Sequence, residues 1–252
     1  MTSLSVDADP SDFGAPDELA RLSESENFIS WIFDELEPNV GERVLEVGAG
    51  LGAITRRLLD SGRSVTALEP AANIAPVLRS RMRGEANLEI IQCTSAQLAA
   101  RDSGRTFDSV VYVSVLEHIA DDVSELRTAI PLLKPGGTVA IFVPAMQSIY
   151  GSLDRKSGHF RRYSRKGLSA VISESGLQLQ SIRWMDTLGV IPYFLMYRVL
   201  RRSSLGASTA WMHESLLVPM SRGVERIIGH PRFGKNLIAI AERPDDPSGV
   251  RP

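Results

Sequence analysis

The chain has 252 residues, enough for one large α/β domain with a full core or for two small domains. Lysine and arginine number 28 against 30 aspartates and glutamates, and this near balance leaves no electrostatic footprint for nucleic acid over the chain as a whole. The single cysteine, Cys93, excludes an intramolecular disulfide and fits a reducing cytoplasm.

Residues 1–18 are polar and acidic, carry Pro10 and Pro16, and lack the basic start and apolar core of a signal peptide. They are expected to be a disordered lead-in. ENFISWIFDELEP (26–38) then sets Phe28, Ile29, Ile32, Phe33 and Leu36 at helical spacing, with Pro38 after the last turn. RVLEV (43–47) reads as a strand, followed by glycines and the helix of AITRRLLDSG, which Gly62 closes. A second strand, SVTALEP (64–70), ends at Glu69; a helix over about 71–83 and a third strand, LEIIQ (88–92), follow. FDSVVYVSV (107–115) is almost continuously apolar, as a strand covered on both faces must be. A helix over about 121–133 leads to LLKPGG, a turn, and a fifth strand, TVAIFVP (138–144). Strands alternating with helices at this spacing predict a doubly wound parallel sheet.

After residue 144 the rhythm changes. YGSLDRKSGHFRRYSR (150–165) reads as a polar, basic loop, GLSAVISESG (167–176) as a helix and LQLQSIRWM (177–185) as a strand. Residues 186–234 hold two or three helical segments rich in aromatics and arginine, and KNLIAIAER (235–243) is the last strand. The expected organisation is one domain over 19–243 with a flexible tail over 244–252. The segments 150–165 and 186–234 form its lid and acceptor elements. The longest apolar stretch, LGVIPYFLMYRVL (188–200), is too short to span a bilayer and is interrupted by Pro192 and Arg198. With Arg198, Arg201 and Arg202 it could rest on a membrane surface, although Pro192 weakens a continuous amphipathic helix.

The glycine turn carries the chemistry. Gly48-Ala49-Gly50-Leu51-Gly52-Ala53 satisfies G-x-G-x-x-G/A, a weak signal alone and a stronger one between a strand and a helix. Glu69, about twenty residues on at the end of the next strand, is placed to accept from ribose hydroxyls. Glu46, two residues before the turn, would repel a pyrophosphate and favour a cation. S-adenosylmethionine fits: it has an adenosine, an ammonium and a sulfonium, and no phosphate.

Residues 44–52, ALEP (67–70), FDSVVYVSVLEHI (107–119) and LLKPGGTVAIFVPA (132–145) resemble the successive motifs of class I S-adenosylmethionine-dependent methyltransferases. The resemblance covers about residues 26–145. It implies a Rossmann-like sheet of seven strands with the last antiparallel; the helical insertion read before that strand is where such a fold could carry a lid. It implies S-adenosyl-L-methionine as cofactor, with Glu46 at the methionine end and Gly48, Ala49 and Gly50 letting backbone approach the ligand. Glu69 with Pro70 would then lie at the ribose, and Val113 and His118 would line the cofactor after the fourth strand. The family often places a Gly-Asp pair after the third strand, whose acid meets adenine. Here Cys93 and Thr94 stand there, so Thr94 or Ser95 is left to make that contact, and Cys93 reads as a small strand-end residue rather than a nucleophile.

Methyl transfer from a sulfonium needs alignment and exclusion of water, and a base only when the acceptor atom must lose a proton. LDRKSGHFRRYS resembles the D…GHxRRY element of methyltransferases acting on small molecules, and makes His159 a candidate base with Asp154 and Tyr163 beside it. The bland reading is a solvated basic loop. Arg161 and Arg162 either orient an anionic acceptor or pair with carboxylates of the loop. Trp184, Tyr193, Phe194, Tyr197 and Trp211 either wall an apolar pocket or pack an ordinary core.

The expected function is methylation of an oxygen or nitrogen of a small-molecule acceptor, such as a natural product, a sugar or a lipid-linked compound, with no metal and no nucleic-acid partner. Val113-Ser114-Val115-Leu116 stands where enzymes acting on base amino groups carry Asn/Asp-Pro-Pro-Tyr/Phe. The rivals are a non-catalytic S-adenosylmethionine-binding module and an NAD-dependent oxidoreductase. Glu46 and the lack of a Tyr-x-x-x-Lys pair disfavour the oxidoreductase.

Overall fold

The computed structural model describes residues 25–102, 104–202, 211–229 and 231–245. Seven strands, β1 (Arg43–Val47), β2 (Ser64–Leu68), β3 (Leu88–Ile91), β4 (Phe107–Val113), β5 (Leu133–Pro144), β6 (Gln178–Met185) and β7 (Asn236–Glu242), form one sheet. Their order is β3-β2-β1-β4-β5-β7-β6, and only β7 runs antiparallel to its neighbours. The sheet is therefore the Rossmann-like, doubly wound one expected, with the last strand reversed.

Alternation along the strands builds two cores, one on each face. Leu45 and Val47, Val110 and Tyr112, and Leu237 and Ala239 pack with Leu98, Leu126, Leu168 and Ile172 of the helices Ser95–Arg101, Asp122–Ala129 and Arg165–Ser175. Val44, Val111, Ala140, Ile238 and Ile240 face the other way. They pack with Trp31, Ile32, Phe33 and Leu36 of the helix Glu26–Leu36, Ile54 and Leu58 of Ala53–Asp60, and Leu78 of Ala75–Arg81. The nearly continuous apolar run of β4 follows from this: both of its faces are covered.

Four details differ from the sequence reading. The helix expected over 71–83 is shorter, Ala75–Arg81. A helix absent from that reading, Ser95–Arg101, starts at Thr94, whose hydroxyl accepts from Gln97 N–H while the Gln97 side chain accepts from Thr94 N–H. LKPGG is not a free turn but the start of β5, because Gly136 N–H donates to Arg243 O and Arg243 N–H to Gly137 O. The segment 150–165 is not a solvated loop. It contains the short helix Ser152–Lys156 and ends at Tyr163, which is bridged to Ala145, and Asp154, Arg162 and Tyr163 are all buried. The lead-in expected over 1–18 and most of the tail over 244–252 lie outside the described residues.

Among the described residues no helix is long and apolar enough to cross a membrane. The carboxyl ends of β1, β2, β4 and β5 open into residues 48–52, 69–71, 114–118 and 145–163, so the loops that carry the candidate residues gather on one edge of the sheet, where open α/β sheets bind ligands.

Candidate active site

β1 delivers Glu46 to the interior. Its carboxylate is buried and accepts from the Thr55 hydroxyl at 2.6 Å, and burial pushes its pKa up to about 8, with nearby Glu69 adding to the rise. β2 delivers Glu69, whose Oε2 accepts from Gly50 N–H at 2.8 Å and whose Oε1 accepts from Ala71 N–H at 2.9 Å. Burial raises this carboxyl too, against those two bonds. Gly48 and Gly50 between them have φ of +70° and +56°, the left-handed region that suits glycine. A Cβ on Gly48 would lie 2.6 Å from Val115 Cγ2. Ala49 is buried and ties the turn to β2 through its N–H and Leu68 O, 2.9 Å apart. Pro70 and Val113 are half-buried at the ends of β2 and β4.

After β3 the two candidate hydroxyls differ. Thr94 is occupied as a helix cap, whereas Ser95 Oγ is buried without a hydrogen-bond partner among the described residues. Cys93 is a buried free thiol that burial pushes up, which makes it a poor nucleophile.

The second half of the site hangs on Asp154, which is fully buried. Its Oδ1 lies 3.0 Å from His159 Nδ1 and accepts from Arg162 at 2.9 Å; its Oδ2 accepts from Gly151 N–H at 2.8 Å and the Tyr193 hydroxyl at 3.0 Å. Burial would raise this carboxyl, but the His159 and Gly151 bonds and the Arg162 guanidinium outweigh it and hold it below the usual range. Arg162 also donates to Ala145 O and Lys235 O, so it clamps the end of β5 to the start of β7, and it stacks over the Tyr193 ring. Arg161 donates to Asp122 and to Ala120 O. Both arginines therefore pair with carboxylates of the protein.

His118 and His159 meet edge to face, ring centroids 4.7 Å apart. Burial, and then the neighbouring His159, lower the His118 pKa to about 3, so His118 is neutral. Glu117 is buried beside them with its Oε2 unpartnered among the described residues, and burial pushes its pKa up to about 7. Glu117, His118 and His159 present ligand atoms within 4.8 Å of one another, close enough to hold a cation. Tyr163 stands apart from His159 in role: its buried hydroxyl is 2.6 Å from Asp122 Oδ2, and burial and that carboxylate raise it strongly. Ser114 and Met146, just past β4 and β5, hold positive φ without being glycines, a strain that clusters at functional edges.

The aromatics of 186–234 divide. Tyr193 and Tyr197 face inward, while Phe194 and Trp211 are exposed. Trp184 belongs to β6 and packs on the sheet core. Asp186 and Lys235 form a buried ion pair at 2.7 Å, with His213 3.1 Å from Lys235 Nζ, and so fasten the insertion to the start of β7.

A family profile described as a methyltransferase domain matches residues 45–139. A ubiquinone biosynthesis O-methyltransferase of Xanthomonas axonopodis is 28% identical over 171 residues, covering 62% of this chain and 71% of the relative. Its counterpart in Pseudomonas aeruginosa is 29% identical over 168 residues, covering 61% and 72%. The chain is a class I S-adenosylmethionine-dependent methyltransferase. The fold agrees. An S-adenosylmethionine-dependent methyltransferase of Thermotoga maritima superposes with a TM-score of 0.61 at 14% identity, covering 91% of this chain and 96% of that one. A phosphoethanolamine N-methyltransferase of Haemonchus contortus gives 0.61 at 16% identity, covering 95% and 61%. The cofactor of this methyltransferase is S-adenosyl-L-methionine and its acceptor is a small molecule.

Three residues of the site were not singled out in the sequence: Glu117, Asp122 and Lys235. Glu117 lies inside the quoted VLEHI motif, so a signal for it existed. Asp122 and Lys235 carry no local signal, because their partners Tyr163 and Asp186 lie 41 and 49 positions away.

Proposed function

We propose that this methyltransferase methylates a hydroxyl of a small-molecule acceptor, with His159 as the general base and Asp154 as its orienting partner. The observation that carries the reading is the 3.0 Å contact between His159 Nδ1 and Asp154 Oδ1. With Nδ1–H donating to Asp154 Oδ1, Nε2 would be the acceptor of a proton. Such a base is of use to an oxygen acceptor and dispensable to a neutral amine. The O-methyltransferase names of the two bacterial relatives support the same choice.

Bound S-adenosylmethionine supplies an electrophilic methyl group on a sulfonium that departs as a neutral thioether, so no leaving-group acid is required. Glu46 would hold the ammonium, which recovers the ionised form of a carboxyl that burial otherwise keeps protonated. Gly48, Ala49 and Gly50 would let backbone reach the ligand, and Glu69, whose oxygens keep lone pairs beyond the Gly50 and Ala71 bonds, would accept from the ribose hydroxyls. Ser95, with its unpartnered hydroxyl, fits the adenine side better than Thr94. Pro70, Val113 and His118 would complete the wall.

His159 Nε2 takes the hydroxyl proton as the acceptor oxygen attacks, and Asp154 stabilises the resulting imidazolium. Tyr193 brings the described start of the insertion onto Asp154, and residues 150–165 with 187–202 would form an acceptor-side unit that excludes water. The test is incubation with methyl-labelled S-adenosylmethionine and matched pairs of phenols and arylamines. Label on phenolic oxygen is the expected result; label confined to nitrogen would replace the oxygen reading.

A further inference from the structure

Residues 211–228 form a continuous helix that is built inside out. The side turned to the protein is largely polar: Ser221 is fully buried, Arg222 pairs with Asp34, Glu225 accepts from Thr187 N–H at 2.7 Å, and Glu214 accepts from Asn27 N–H. The side turned to solvent is apolar. Leu216, Met220, Val224, Ile227 and Ile228 follow one another at helical spacing and are all exposed, Ile227 by 87%. The preceding segment repeats the pattern. Over 190–200 the Tyr193 hydroxyl and Tyr197 point inward, while Ile191, Leu195, Val199 and Leu200 are exposed. An outward stripe this long is more than the scattered apolar residues of an ordinary surface.

Charge names the occupant. From Thr187 to His213 the chain carries Arg198, Arg201 and Arg202 and no acidic residue. All three arginines are exposed, as are Arg226 and Arg232 farther on. The two acids of the helix, Glu214 and Glu225, are both turned to the protein, leaving the outer face without negative charge. A second copy laid on this face would set arginine against arginine. Anionic lipid headgroups would complement the arginines, and the acyl boundary would take the isoleucines, leucines and Trp211, which is 64% exposed.

We propose that the outward face of residues 190–200 and 211–228 docks this protein on the surface of a bilayer rich in anionic lipid. The docked segment is also the one that reaches Asp154 through Tyr193, so the acceptor side of the protein would face the bilayer. This goes beyond the proposed acceptor chemistry and does not depend on it.

The experiment is co-sedimentation of the full chain with vesicles of phosphatidylcholine alone, or of phosphatidylcholine with an equal part of phosphatidylglycerol, at low and high salt. Trp211 fluorescence is read alongside, since Trp31 is buried and Trp184 half-buried. The expected result is binding to the anionic vesicles, its loss at high salt, and a blue shift that Trp211→Phe removes. Ile227→Asp and Met220→Asp, both at exposed positions, should each lower partitioning roughly tenfold or more. Arg201→Glu with Arg202→Glu should do the same. Calorimetry with S-adenosylhomocysteine must show cofactor binding unchanged in every variant, which separates this failure from a failed methyltransferase site. Wild-type protein left in the supernatant with anionic vesicles at low salt would overturn the proposal. So would vesicle binding that Ile227→Asp and Met220→Asp leave intact. A vesicle-independent dimer that Ile227→Asp dissociates, without any lipid binding, would assign the face to a second copy instead.

Discussion

Asp154 and His159 meet at 3.0 Å, and every other hydrogen bond to the Asp154 carboxylate comes from a group that fixes where it points. Arg162 holds the same oxygen, while Gly151 N–H and the Tyr193 hydroxyl hold the other. The imidazole is thus oriented by a carboxylate that is itself immobilised from three sides.

Asp154→Asn keeps the shape of that carboxylate and loses its charge. The expected outcome is a drop in single-turnover rate of about 10²-fold or more, with the cofactor dissociation constant unchanged. Buried Arg162 loses its counter-charge in this variant, so a lower Tm should accompany it. Tyr193→Phe removes one hydrogen bond to the ionised carboxylate and should cost about 1.5–3 kcal/mol of stability. A fully active Asp154→Asn protein would make Asp154 a structural anchor alone.

Glu69 both fastens the glycine turn and faces the proposed ribose position. Glu69→Ala should weaken S-adenosylhomocysteine binding by about 1–3 kcal/mol, since the ribose loses an ionised acceptor and the Gly50 and Ala71 N–H groups lose theirs. Glu69→Gln, which keeps one carbonyl acceptor, should lose less. Calorimetry reads both, and an unchanged affinity in Glu69→Ala would move the ribose elsewhere.

Glu46 and Glu117 predict an unusual pH dependence. Burial lifts them to about 8 and about 7 from an ordinary value of 4.5. Between those values the folded chain holds more protons than the unfolded one. Their contribution is fully present below about 4.5 and is lost as the pH rises through about 7 and 8. Thermal melts of the cofactor-free protein should therefore give a lower Tm at about pH 9 than at about pH 5.5, and Glu46→Gln with Glu117→Gln should flatten the slope. Asp154, held below the usual range, acts in the opposite sense and only at more acid pH. A Tm that rises over the alkaline range in wild type would contradict the buried, protonated state of these two carboxyls.

Much of the fold was legible, because strands covered on both faces leave a continuous apolar signature and RVLEV followed by a glycine turn has few other readings. What escaped depended on partners distant in sequence. LKPGG reads as a turn from its glycines, yet backbone bonds to Arg243 make it a strand, and such bonds leave no trace in side-chain pattern. The helix Ser95–Arg101 is short and buries little beyond Ser95 and Leu98, although the Thr94–Gln97 capping box announces it. The charges of 150–165 left a solvated loop as the rival to an acceptor element, but Asp154 and Arg162 neutralise one another and go inside together. The apolar residues of 190–228 left a pocket wall, core packing and a membrane-surface stretch open, and many of the described ones point out. Hydrophobic spacing gives the stripe but not the direction it faces.

The most direct test of the account is single-turnover methyl transfer to the phenol that wild-type protein labels best, followed across pH for wild type and His159→Ala. With His159 as the base, the variant should lose about 10²–10⁴-fold in rate and the general-base limb of the pH profile, while cofactor affinity stays at the wild-type value. A His159→Ala protein with the wild-type rate and the wild-type pH profile would contradict it.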